Sequence, residues 1–251
     1  PVAGGALARP FATRANALGA DLSLRIAPEL YLKELLIGGF EKIYELGKSF
    51  RNEGIDATHS PEFTTAEWYA AYWDEEDMMT CVERSFRTIL AELGFAHGVA
   101  HDGVVLSFTR KFPRVTFARL LADYAGIQDY EVLTRDALAN RAGELGIEVA
   151  PGESKGKIAD EMYKKVCRPH IMQPTFVVHH PLDISPLAKR TGQGAATVRR
   201  FQLIAGGLEL VNAFAELNDP RDQRARFEEQ QRMRTGGDTE SHPLDETFIE
   251  A

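Results

Sequence analysis

The chain is 251 residues long, 44% apolar and 26% charged, a composition that supports one large domain or two small ones and excludes a disordered tail. Lys and Arg number 29 against 37 Asp and Glu, a net charge of −8, so any nucleic-acid contact must be local. Cys81 and Cys167 are its only cysteines, which excludes a disulfide framework or a four-thiolate zinc site and points to a reducing, cytoplasmic setting.

Alternation in Leu22-Ser-Leu-Arg-Ile26 predicts a strand, and Ala27-Pro28-Glu29 opens a helix that Gly38-Gly39 stops. Residues 40–50 and 62–73 read as two strands of a hairpin, with Phe63, Thr65, Glu67, Tyr69 and Ala71 sharing one face. The polar stretch from Arg51 to Pro61 is its loop. Helical spacing of Met78, Val82, Phe86, Ile89 and Leu93 predicts a helix from Asp74 to Leu93, closed by Gly94. Shorter helical patterns follow at about 116–124, 134–145 and 154–168, so that residues 95–170 read as an insertion-like helical section with little visible chemistry.

Strands return at Thr175–His179, Val198–Ala205 and Leu208–Leu217, the last two joined by Gly206-Gly207. A charged helix over 221–234 ends the pattern as a solvated face. Hairpin-linked strands with grouped helices argue for an α+β fold, an antiparallel sheet flanked by helices on one side. No apolar stretch approaches the roughly 20 residues of a bilayer span, so no membrane partner is expected. A chain that begins with Pro1 is expected to start inside a longer reading frame.

Two constellations carry chemistry. In the first hairpin, Arg51, Glu67 and Tyr69 can face one side while the loop supplies Glu53 and His59; an Arg fork grips phosphate or carboxylate, and Phe63 offers a flat face to a base. The alternative is a surface hairpin with ordinary ion pairs. In the second hairpin, strict period two places Leu210, Asn212, Phe214 and Glu216 on one face and Glu209, Val211, Ala213, Ala215 and Leu217 on the other. Glu216, set in an apolar strand, needs either a structural partner such as Arg199 or a cationic ligand. His179-His180 reads as structural, and Gly152–Lys157 lacks the spacing of a phosphate loop.

The string FRNEGIDATHSPEF followed by AEWYAAY closely resembles the second signature motif of class II aminoacyl-tRNA synthetases. Leu24–Lys33, Gly4–Phe11 and Glu209–Pro220 resemble the lysyl branch of that family. The resemblance implies the class II catalytic core and a lysine–tRNA ligase activity: ATP-dependent formation of lysyl-adenylate and transfer to tRNA(Lys). A lysine-activating paralogue that modifies a protein and a non-catalytic lysine-binding module are the alternatives.

Carried over by position, it implies that Arg51 holds the ATP α-phosphate and the substrate carboxylate, Glu53 the adenine amino group and His59 the distal phosphates, with Phe63 stacked on adenine. Gly5, Glu29, Glu67, Tyr69, Asn212, Phe214 and Glu216 would line the lysine pocket, with Glu29 and Glu216 at its far end. Glu209 would bind Mg2+; Gln202, where a metal-binding Glu is common, offers an uncharged oxygen. The family's first motif would precede Pro1 and its third would follow Ala251, so residues 1–251 are expected to be an incomplete catalytic domain, truncated at both ends, of a protein that is a homodimer when whole.

Overall fold

The computed structural model describes residues 8–56, 58–235 and 249. The chain divides into two compact units, Pro1–Tyr72 with Phe227–Ala251, and Trp73–Arg226.

In the first unit, β1 (Ala12–Ala15) and β2 (Ala20–Ser23) form an antiparallel hairpin turned at Gly19, whose φ of 61° suits a residue without a Cβ. The ladder lies two to three residues earlier than the alternation at 22–26 predicts. Arg25 has left it: its carbonyl accepts from the Phe50 amide at 2.9 Å, which ties this segment to the next hairpin. Pro28 precedes α1 (Glu29–Ile37), where its missing N–H costs nothing.

β3 (Lys42–Phe50) and β4 (Glu62–Ala70) pair in full register, Ile43 opposite Tyr69, Glu45 opposite Glu67, Gly47 opposite Thr65 and Ser49 opposite Phe63. These residues form the inner face, and α1 packs against both strands. The second strand stops short of 73 because Tyr72 adopts φ 66°, a left-handed turn that ends extension.

The second unit opens with α2 (Glu75–Glu92), started by a capping box in which Asp74 accepts from the Asp77 amide and the Asp77 side chain answers to the Asp74 amide. Met79, Val82 and Glu83 are its buried residues, whereas Ile89 and Leu93 are more than half exposed. The apolar stripe therefore turns to solvent in its last turns. Glu83 is held by two partners: it accepts from the Phe112 amide at 3.1 Å and from Arg87, which also donates to the Phe108 and Arg110 carbonyls.

β5 (Val99–His101) and β6 (Val104–Leu106) form a short hairpin on Asp102-Gly103, both at positive φ. β7 (Arg114–Thr116), α3 (Phe117–Leu120, continued as a π-turn to Ala125), α4 (Arg135–Glu144) and α5 (Lys155–Met162, continued to Cys167) follow. β8 (Thr175–Pro181), β9 (Thr197–Ala205) and β10 (Leu208–Phe214) complete a four-stranded sheet in the order β10-β9-β8-β7. The β7–β8 pair is parallel and the others antiparallel. Gly206 and Gly207, at φ 59° and 72°, make the tight turn between β9 and β10. Asp219 accepts from the Arg221 amide at 2.9 Å to start α6 (Pro220–Thr235). In that helix Gln223 and Arg226 are buried, Arg226 donating to the Ala188 carbonyl at 2.5 Å, so its first turns are more than a solvated face.

Helices cover both faces of this sheet, not one. On one face a run of rings leads from α2 into the sheet: Phe86 on Phe108, Phe108 on Phe112, Phe112 on Phe176 and Phe176 on Phe201. On the other, Val177 and Ile204 join a buried cluster built from Phe117, Leu121, Leu138, Ile158, Met162, Tyr163 and Cys167. The segment 95–170 thus supplies a strand of the sheet and most of this cluster. Among the described residues no helix is long and apolar enough to cross a membrane.

Candidate active site

The first unit gathers most of its expected site residues on the inner face of the β3–β4 hairpin. Arg51 leaves β3 with its amide bonded to the Pro61 carbonyl at 2.8 Å, and its guanidinium lies 5.1 Å from the centre of the Phe63 ring. Its Nε points to the Ile26 carbonyl at 3.4 Å. Glu67, four pairs along the ladder from Phe63, accepts from the Tyr69 hydroxyl at 3.0 Å. Burial raises the Glu67 pKa; the Tyr69 bond opposes this, the charges of Glu29 and Glu45 add to it, and Arg51 counters it.

Glu29 and Glu45 each have a cation. Lys33 Nζ sits 2.6 Å from Glu29 Oε1, both side chains being nearly buried, and Arg25 bonds Glu45. Gly47 makes the second pair possible, since a Cβ there would collide with the Arg25 guanidinium. Glu53 and His59 lie in the loop between β3 and β4, and both are exposed. His59 Nδ1 is 2.8 Å from Asp56, whose carboxyl is held at about 2 mainly by hydrogen bonds from Thr58 and His59. Gly5 lies outside the described residues.

A folded-state pKa raised above the unfolded value means that the protonated Glu67 is the form the fold prefers. Its stabilising share is complete below the ordinary carboxylate range and is lost as pH rises through the raised value. Glu67→Gln is therefore expected to raise Tm by a few degrees near pH 7.5, with the gain shrinking towards pH 4. Thermal melts across that range check it; an equal gain at both ends would mean that ionisation is not the cause.

In the second unit the site residues sit on β9 and β10, and the alternation is broken. Leu210 is a bulge: Glu209 pairs with Ile204, Val211 with Leu203, Asn212 with Gln202 and Phe214 with Arg200. Directly paired residues share a face, so Glu209, Asn212 and Phe214 lie together with Arg200 and Gln202. Strict period two separated Glu209 from Asn212 and Phe214; the extra residue turns it back. Glu216, half-buried, is placed by a bridge to Ala188, and Arg199 ion-pairs with Glu75 at 3.4 Å.

Gln202 is buried within a chain of bonds. The Tyr163 hydroxyl donates to its Oε1 at 3.0 Å, and its Nε2 donates to Glu209 Oε2 at 2.7 Å. The oxygen expected to face a metal is thus committed to Tyr163, and the amide turns its N–H toward the carboxylate. Glu209 keeps an exposed edge, yet its carboxylate is crowded enough that lost hydration raises its pKa, with Arg200 and Arg168 opposing. Burial raises the Tyr163 phenol far more strongly, so it stays a neutral donor. Arg200 orients Asn212 by donating to its Oδ1 at 3.0 Å.

Among the described residues no three His, Cys, Asp or Glu side chains converge as a metal cage. Mg2+ held with a triphosphate needs only one or two protein carboxylates, which Glu209 fits and Gln202 does not. Sequence reasoning missed Arg25, Lys33, Tyr163 and Arg200. The four-residue spacing of Glu29 and Lys33 on one helix was a readable signal; the reach of Tyr163 to β9 was not.

The whole chain, residues 1–251, matches the family model described as tRNA synthetases class II (D, K and N). The chain belongs to this family. It is 46% identical over 251 residues to the lysine–tRNA ligase of Moorella thermoacetica, covering 100% of this chain and 51% of that protein. The lysine–tRNA ligase of Chloroflexus aurantiacus is 45% identical with the same coverage, and that of Pelotomaculum thermopropionicum 44% over 253 residues. The chain spans about half the length of the curated relatives it matches.

Proposed function

We propose that this chain is catalytic-core sequence of a class II synthetase that activates lysine with ATP and transfers it to tRNA(Lys). The observation that carries the reading is Arg51 lying over Phe63 on a hairpin face that also holds Glu67 and Tyr69. In adenylation the substrate carboxylate is itself the nucleophile, so the protein's work is to align it with the α-phosphorus and stabilise charge.

Arg51 bridges the two reactants, carboxylate and α-phosphate, through the five donors of its fork. Phe63 stacks on adenine, Glu53 accepts from the adenine amino group and His59 takes the distal phosphates. Mg2+, when bound with the triphosphate, withdraws charge from the departing pyrophosphate, and Glu209 is the residue that would hold it. Glu29, Glu67, Tyr69, Asn212, Phe214 and Glu216, with Gly5, form the lysine pocket. Carboxylates and a phenol suit an ammonium-bearing substrate. The names of the relatives, all lysine–tRNA ligases, support lysine as the amino acid. We also assign residues 1–251 to one catalytic domain carrying an insertion at about 95–170, in a cytoplasmic homodimer with no membrane partner.

The test is lysine-dependent exchange of pyrophosphate into ATP, with aspartate as the control amino acid. Glu216→Gln is expected to weaken lysine binding at least about tenfold and ATP binding less than about threefold, because a lost charge pair matters most where water is excluded. Equal loss of both ligands would remove Glu216 from the lysine pocket.

A further inference from the structure

A bonded series runs from the interior of the second unit to the carboxylate assigned to Mg2+, and it has a single sense. It starts at Tyr163, fully buried, whose ring is set 5.1 Å from that of Phe117 and 6.1 Å from that of His180, centre to centre. The hydroxyl donates to Gln202 Oε1 at 3.0 Å, and Gln202 Nε2 donates to Glu209 Oε2 at 2.7 Å. A carboxamide accepts through its oxygen and donates through its nitrogen. With the oxygen taken by a phenol, the nitrogen must face the carboxylate, and each bond polarises the next.

Among the described residues no other side chain hydrogen-bonds the Glu209 carboxylate. Arg200, a cation in its range, gives its donors to Asn212 at 3.0 Å, Ile184 at 3.2 Å and Ser185 at 2.9 Å. Gln202 is 4% exposed, whereas Glu209 keeps an exposed edge, so the amide carries the fixed position of a core ring to a group that reaches the surface. It engages Oε2 and leaves Oε1 open to a ligand.

We propose that Tyr163 is a positioning residue for Glu209: acting through the Gln202 amide, its hydroxyl fixes the carboxylate in the orientation in which it meets the metal ion of the nucleotide. This rests on the assignment of Glu209 to Mg2+. Loss of a group that orients a metal ligand lowers metal affinity by about 10–100-fold. Tyr163 stands two bonds from the ligand, which places its share at the lower end of that range.

The experiment is titration of Mn2+ into the full-length protein, held in excess over a non-hydrolysable ATP analogue, with free Mn2+ read by electron paramagnetic resonance. Tyr163→Phe keeps the ring and removes the hydroxyl. It is expected to weaken Mn2+ binding by about tenfold, while Tm falls by no more than a few degrees. A folded Tyr163→Phe whose Mn2+ affinity stays within about twofold of the unsubstituted protein overturns the proposal, since a bond that serves packing alone would move melting and not the ion.

Gln202→Met, of similar length and without an amide, breaks the series at its middle and serves where Tyr163→Phe does not fold. It is expected to show the same loss, and an unchanged affinity in that folded variant overturns the proposal. Added to Gln202→Met, Tyr163→Phe is expected to weaken Mn2+ by less than about twofold further, because its route to Glu209 is gone. A second full loss there overturns the proposal as well, for Tyr163 would then act by another path. Glu209→Gln tests the earlier step: unchanged Mn2+ affinity in it overturns the assignment of Glu209 itself, together with the proposal that rests on it.

Discussion

Arg51→Ala is expected to lower lysine-dependent pyrophosphate exchange by about a thousandfold or more, equivalent to about 4 kcal/mol of transition-state stabilisation. The size follows from the proposed division of labour. With no protein nucleophile or general base to share the burden, alignment and charge neutralisation fall on the one group that touches both reactants. The fold has little stake in that side chain. Its Nε lies 3.4 Å from the Ile26 carbonyl and its guanidinium 5.1 Å from the Phe63 ring, contacts worth about 1 kcal/mol each at most. Circular dichroism and melting should therefore stay close to those of the parent. Arg51→Lys is expected to recover little, because a point charge cannot span carboxylate and phosphate with a planar fork. Exchange near the parent rate in Arg51→Ala would remove this residue from the mechanism.

The largest effect on stability is expected at Phe117. Its ring is fully buried, 5.1 Å from Tyr163, 5.3 Å from His180 and 6.1 Å from Tyr130. Phe117→Ala removes the ring from the middle of that group and should cost about 3–5 kcal/mol. For a chain of this size that lowers Tm by roughly 6–20 °C, readable by calorimetry or by the urea midpoint. The outcome bears on the segment 95–170, whose helical pattern carries no catalytic residue type in an obvious arrangement. Its contribution lies in volume: it fills one side of the four-stranded sheet and brings Tyr163 under Gln202. An unchanged melting point would mean that this cluster is not where the unit's stability resides.

Local chemistry made much of this architecture readable. Asp74 with Asp77 starts α2, Gly206-Gly207 turns β9 into β10, and the alternation of Phe63, Glu67 and Tyr69 survives intact in β4. Each depends on a few adjacent residues. The short elements were missed for the same reason: β7 has three residues and gains its place through parallel pairing with β8, some 60 positions away in sequence. The β5–β6 hairpin did carry a local mark in Asp102-Gly103, which its short strands failed to frame. The stripe on α2 overran its true length because spacing alone does not tell where a partner stops; the burial of Glu83 in place of an apolar residue depends on Arg87 and the Phe112 amide.

Residue types were more legible at the site than pairings. Arg51, Phe63, Glu67 and Tyr69 fall on one face as their spacing predicts, and motif resemblance alone singled out Glu29 and Glu209. What spacing could not give was who neutralises whom. Lys33 on Glu29, Arg25 across Gly47, and the Tyr163–Gln202–Glu209 chain all need three-dimensional proximity. The contact of Gln202 is one of these, since its oxygen accepts from a phenol that is distant in sequence.

Leu210 makes β10 a strand in which counting matters more than spelling. Its side chain is 40% exposed and pairs with nothing across the ladder, so many residues could stand there. The number of residues across the bulge is what sets the faces. With Leu210 deleted, Glu209 would stand two positions before Asn212 and share its face by plain alternation, whereas one residue added between them with the bulge kept would send Glu209 to the opposite face, because β-strand faces are read modulo two. Substitution or loss of position 210 is thus cheap for this facing and an insertion is not, an asymmetry that a comparison of residue identities alone would never reveal.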